Sequence, residues 1–215
     1  MIKFTARIIN LVFGLFLYAL GAAVTMKANL GYAPWDVFHQ GIAQTIGMSI
    51  GRVSILAGLV ICVLAILLGE KFGIGTILNM LLIGFFLDWI LQMDALPRME
   101  NFFSGLLMMA AGLFIIALGS YFYINAGFGA GPRDSLMVAV KRKTGLAAGI
   151  SRTVIEGSAV LIGWLLGGPL GLGTVIAAFG IGLCIQIVFS LFRFDPTRVR
   201  HETAGTTLQK LKSSF

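Results

Sequence analysis

The sequence predicts an all-α membrane protein of about six transmembrane helices, arranged as two inverted three-helix repeats, each with a short broken or re-entrant helix. Three observations predict it. The chain is 58% hydrophobic and only 12% charged, with a mean hydropathy of +0.94, whereas globular chains carry roughly a quarter of their residues as charged side chains. Apolar runs of about 20 residues, the length needed to cross a bilayer as a helix, recur along it. The first half also matches the second when the chain is shifted by about 98 residues. So little charge cannot cover a water-facing surface, so the apolar surface is expected to face the lipid bilayer. The net charge of +7 then reads as a topology signal, with no nucleic-acid partner.

The first run, residues 8–26, follows Lys3 and Arg7 and ends in small residues, which is also how a signal peptide looks. The repeat argues for a true span. Gly14-Leu15-Phe16 recurs as Gly112-Leu113-Phe114, and Ala19-Leu20-Gly21 as Ala117-Leu118-Gly119. A cleaved leader has no reason to recur in mid-chain. Further spans are expected at 50–69 and 74–93, then at 105–124, 149–167 and 173–192. Gly73, Gly75 and Thr76 recur as Gly171, Gly173 and Thr174, so each third span opens at a glycine turn. The matches total roughly 20 identities in about 80 ungapped positions, and the Gly, Pro and Asp matches weigh most because they mark turns and helix ends. Residues 1–98 form the first repeat, 99–192 the second, and 193–215 a basic tail expected to be a mobile cytoplasmic extension. Cys62 and Cys184 lie in apolar runs at unmatched positions and read as free thiols.

Between the first and second spans of each half lies a segment too short to cross, 34–46 and 132–144. Gly31, Pro34 and Asp36 recur as Gly129, Pro132 and Asp134. Glycine allows a sharp turn, proline is pre-organised for the first helical position, and an acid in the first turn suits the free N–H groups and the helix dipole. Gly47-x-x-x-Gly51 and Gly145-x-x-x-Gly149 have the spacing of close helix contacts, yet straddle a span's start and read better as turns. Lys and Arg set the orientation. With the N-terminus cytoplasmic, about 13 fall inside, among them Lys71, Lys141, Arg142, Lys143, Arg198, Arg200, Lys210 and Lys212, against 3 outside. Three spans per half reverse the second half, so both termini are expected in the cytoplasm of a bacterial cell, the protein spanning its cytoplasmic (inner) membrane.

The G-x-x-P-x-D element, the Gly-x-Gly-Thr turns, Asn79 and Asp88 resemble the YczE/YitT family of bacterial membrane proteins over nearly the whole chain. The resemblance implies this architecture and transport of an unsettled substrate. Arg133 stands where the first half has Trp35, so the two halves are not chemically equivalent.

Asp36 and Asp134 either cap their own short helices or help those helices, as they re-enter the membrane, to present a site to a solute. Arg133, His39 and Trp35 share the same segments. His39 reads as an interfacial residue able to titrate near neutral pH. Glu156 lies about two turns into the fifth span, where it either pairs with Arg152 one turn earlier or binds a proton or cationic group. Asp88 reads as interfacial, with Gln186 as its counterpart, and Asn79 as an interhelical hydrogen-bonding amide. No nucleophile, metal or nucleotide spacing appears, so neither an enzyme nor a cofactor is expected. The leading expectation is a secondary-type carrier of a small polar metabolite or ion, with a substrate site at Asp36, Asp134, Arg133, His39, Trp35, Asn79 and Glu156. A homodimer is allowed. The rivals are a non-transporting membrane partner and an intramembrane lipid enzyme.

Overall fold

The computed structural model describes residues 2–70, 72–129, 131–196, 199 and 202. Eight α-helices and no strands are present among them: α1 (Ile2–Lys27), α2 (Pro34–Ile46), α3 (Ile50–Leu67), α4 (Ile74–Gln92), α5 (Phe102–Asn125), α6 (Pro132–Thr144), α7 (Ala148–Leu165) and α8 (Leu172–Leu191). Five of them, α1, α3, α4, α5 and α8, are long and apolar enough to cross a membrane. Helix α7 has 18 residues, as many as α3, but Arg152 and Glu156 in its first half lower its hydropathy.

Local signals explain the boundaries. Helix α2 starts at Pro34 after Ala33 in extended backbone and stops at Gly47 with φ 69°. Helix α6 starts at Pro132 after Gly131 and stops at Gly145 with φ 73°. Both glycines occupy the left-handed conformation that ends a helix without steric cost. Neither short helix has a side-chain hydrogen bond from its N-cap residue. Helix α5 does: Asn101 accepts from the Ser104 N–H at 2.9 Å.

Helices α1 and α5 run antiparallel at the centre and make the most extensive packing in the molecule. Their backbones touch at two glycine pairs. A Cβ on Gly21 would stand 2.7 Å from the Gly112 carbonyl oxygen, and one on Gly119 would stand 2.7 Å from that of Gly14. In lipid there is no hydrophobic drive between helices, so such close approach of small residues is what holds spans together. Helix α4 packs on α1, and α8 on α5. The loop after α1 is gripped by the start of α8, with Gly173 N–H donating to Leu30 O at 2.6 Å. The loop after α5 is gripped in the same way by the start of α4, with Gly75 N–H donating to Phe128 O at 2.9 Å. Helix α2 packs on α7 and α6 packs on α3. Helix α3 also lies along α4, whereas α7 does not pack along α8.

Large apolar side chains cover the outside: Leu67, Phe103, Leu107, Phe179 and Leu191 are each more than 70% exposed. A surface of this kind on a polytopic helical chain is a lipid-facing one. Cys62 and Cys184 are buried free thiols.

Three expectations need correction. Gly51 is no turn residue; it sits inside α3 against the Gly84 carbonyl. His39 is not interfacial but only 1% exposed. At Glu202 the tail folds back: the Arg7 guanidinium donates to its carboxylate at 2.8 Å, and its N–H donates to Gly127 O at 2.9 Å. An arginine already stacked on Phe128 offers a tail carboxylate a charge-assisted partner. Most of the tail, with Arg198, Arg200, Lys210 and Lys212, lies outside the described residues, as does Lys71.

Candidate functional site

Where the short helices meet the long ones, the bundle lines a cavity of about 520 Å³. Six of the seven residues picked from the sequence line it: Trp35 and His39 from α2, Asn79 from α4, Arg133 and Asp134 from α6, and Glu156 from α7. The seventh, Asp36, does not; its carboxylate lies behind the wall, 3.8 Å from His39 Nδ1.

The glycine-proline turns explain why these side chains converge. Each turn stops a span and starts a short helix inside the bundle, so Trp35 in the first turn of α2 and Arg133 and Asp134 in the first turn of α6 reach the cavity. Trp35 and Arg133, equated by the 98-residue shift, meet there: the guanidinium carbon lies 4.8 Å from the indole centroid. Such a stack is worth about 0.5–2 kcal/mol, more as water is excluded. Phe38 and His39 pack around the same indole.

Asp134 and Asn79 face each other across Gly131. A Cβ there would stand 3.5 Å from Asp134 Oδ2 and 3.6 Å from Asn79 Oδ1. Glycine at this point leaves the carboxylate and the amide open to the cavity. Arg133, Arg152 and Glu156 all lie close enough to act on the charge of Asp134. Arg152 Nε donates to Glu156 Oε1 at 2.9 Å, the pair that the four-residue spacing predicts. The site therefore offers two carboxylates and two guanidiniums around a largely apolar chamber. It can hold a solute with hydrogen-bonding or charged groups. Among the described residues, no three His, Cys, Asp or Glu side chains gather as metal ligands.

His39 Nδ1 is buried with no hydrogen-bond partner, the Asp36 carboxylate at 3.8 Å being too far for one. Sequence reasoning missed Tyr18, Ser120 and Tyr123, which also line the cavity. The tyrosine rings meet edge to face, 6.4 Å apart. Tyr18 corresponds to Ile116 under the repeat, so the internal match gave no sign of it. Asp88 was read as interfacial; it accepts from Ser49 Oγ at 2.5 Å and from Gly51 N–H at 2.8 Å, capping α3 from α4. Serine immediately before a span was the available signal.

The model of a family of unknown function, DUF6198, matches residues 5–190. The chain is 36% identical over 180 residues to the uncharacterized membrane protein YczE of Bacillus subtilis (strain 168), a match covering 83% of this chain and 82% of that protein. It is 34% identical over 181 residues to an uncharacterized protein of Haemophilus influenzae, covering 84% and 82%. To the uncharacterized protein YyaS of Bacillus subtilis it is 24% identical over 190 residues, covering 87% and 92%. No solved structure matches the chain. Of the resemblance drawn from the motifs, the YczE side is the part these matches bear out.

Proposed function

This multi-pass membrane protein belongs to the DUF6198 family, and from that premise we propose that it is a secondary-type carrier of a small polar metabolite or ion. The carrier works by alternating access between two inverted three-helix repeats. One observation carries the reading: positively and negatively charged side chains from α6 and α7 are gathered at a cavity between the two halves of an otherwise apolar bundle. Ionisable groups at such depth are costly and are kept where they face a solute pathway.

The paired contacts support the repeat. Gly173 to Leu30 and Gly75 to Phe128 are one contact made twice under the 98-residue shift, and the two short helices are the broken elements such carriers place at their sites. Helix α7 serves as the sixth span; its 18 residues reach about 27 Å at 1.5 Å per residue, and its charged pair faces the cavity. The excess of Lys and Arg orients both termini to the cytoplasm of a bacterial cell.

A thermal-shift screen of the purified, detergent-solubilised protein tests this against amino acids, carboxylates, amines, vitamins and inorganic ions. A bound solute at 100 times its Kd stabilises by about 2.7 kcal/mol. One chemical class is expected to raise the melting temperature of the wild type, and Asp134→Asn is expected to remove the shift. No shift from any class, or a shift unchanged in Asp134→Asn, overturns the proposal.

A further inference from the structure

We infer that α7 and α8 form the moving gate of the cavity, closing by the contact that α3 and α4 already make. The inference rests on the inverted-repeat carrier proposed above.

The α3–α4 contact is shut. A Cβ on Gly51 would stand 2.1 Å from the Gly84 carbonyl oxygen, and one on Gly84 would stand 2.5 Å from that of Gly51. Asp88 fastens it, one carboxylate oxygen accepting from Gly51 N–H in the first turn of α3 and the other from Ser49 Oγ just before it. Gly51, Gly84 and Asp88 take no part in lining the cavity.

The matching positions, 98 residues on, are Gly149, Gly182, Gln186 and Ala147. Here a Cβ on Gly149 or on Gly182 meets nothing within 4 Å. Helix α7 stands off α8, and the cavity extends into the gap, lined by Arg152 and Glu156 on one side and Ile185 and Phe189 on the other. Two glycines with nothing against them, in the register that lets two other helices touch, are spare for a rigid structure. They are what closure requires. The Gln186 amide oxygen can accept from Gly149 N–H as Asp88 does from Gly51, and swinging α7 onto α8 shuts the cavity on this side.

The chemistry of the two fasteners explains which side is shut. Asp88 makes two hydrogen bonds with a charged acceptor; Gln186 offers a neutral acceptor and meets Ala147, which has no hydroxyl. Charge-assisted bonds are roughly twice as strong as neutral ones. The α3–α4 side is therefore shut at rest and the α7–α8 side open.

The test measures distances between spin labels in lipid vesicles, in a Cys62→Ala/Cys184→Ala background. One label pair sits at Arg52 and Phe85, the other at the matching Ile150 and Leu183, all exposed. Without added solute the first pair is expected to be short and the second long. Ala147→Ser/Gln186→Asp, which gives α7–α8 the fastener of α3–α4, is expected to raise the short Ile150–Leu183 population about tenfold. Adding Gly182→Leu is expected to abolish that population with the melting temperature kept, since the side chain enters open space. The milder Asp88→Gln is expected to release the Arg52–Phe85 pair. A single long Ile150–Leu183 distance in every variant overturns the gate, even if a solute binds. Distances that switch while no solute class binds leave the gate standing and overturn the carrier.

Discussion

Single side chains make separable contributions here. The Trp35–Arg133 stack joins two helices inside the bundle, so Trp35→Leu is expected to destabilise the protein by about 0.5–2 kcal/mol, read as a lower midpoint of thermal denaturation in detergent. The Arg152–Glu156 pair behaves differently. Arg152 is more than half exposed, and exposed pairs one turn apart stabilise by only about 0.3–0.5 kcal/mol. Glu156→Gln is therefore expected to leave the melting temperature nearly unchanged, read by thermal denaturation in detergent. At the opposite end of the bundle Lys27 donates to Asp94 at 2.5 Å. That bond, and the charge behind it, hold the Asp94 carboxyl below its ordinary value of 3.8. A depressed carboxyl stabilises the fold above its ordinary value and loses that effect as pH falls through the lowered one. The small melting difference between wild type and Lys27→Gln is thus expected above pH 4 and to vanish on acidification below the lowered pKa. At this scale the sequence was legible where composition forces a residue inward: six of seven chosen residues line one cavity. Asp36 stands off the cavity because first-turn spacing places a residue on a helix without fixing which way it faces, and Tyr18 and Tyr123 look like ordinary membrane aromatics.

Helices in this bundle associate through glycines, and the cost of filling each one depends on what stands opposite. Gly21 lies against the Gly112 backbone, where overpacking costs about 1–3 kcal/mol. Gly157 has nothing within 4 Å of a Cβ, and a substitution there stays within about 0.5 kcal/mol. Thermal denaturation of Gly21→Leu and Gly157→Leu side by side is expected to separate them by that margin. Element boundaries were the most readable part of the chain. Proline after glycine fixes the starts of α2 and α6, and left-handed glycines fix their ends. Glycine spacing alone could not tell Gly47 from Gly51, four residues apart. One is a turn with φ 69° and the other a backbone contact, and the difference lies in a partner helix far along the chain.

For the whole molecule, the apolar composition and the internal match predicted a helical membrane protein, and the helices obey them. The departures come from tertiary placement. Helix α3 lies along α4 while α7 stands away from α8, although the sequence treats the two pairs alike. Only Ser49 and Asp88 against Ala147 and Gln186 hint at it, and a hydrogen bond between helices has no periodicity to betray it.

The central crossing of α1 and α5 bears on how such a chain can be divided. Gly14 meets Gly119 and Gly21 meets Gly112; under the 98-residue shift these are the same pair written in both directions. That is the self-complementary geometry of a two-fold dimer, enclosed here within one polypeptide. The segment joining the halves, residues 93–101, follows α4 and precedes α5 at the edge of the bundle. Severed there, the two halves retain complementary faces, so co-expressed fragments 1–97 and 98–215 are expected to reassemble in the membrane and to co-purify through a tag on either one.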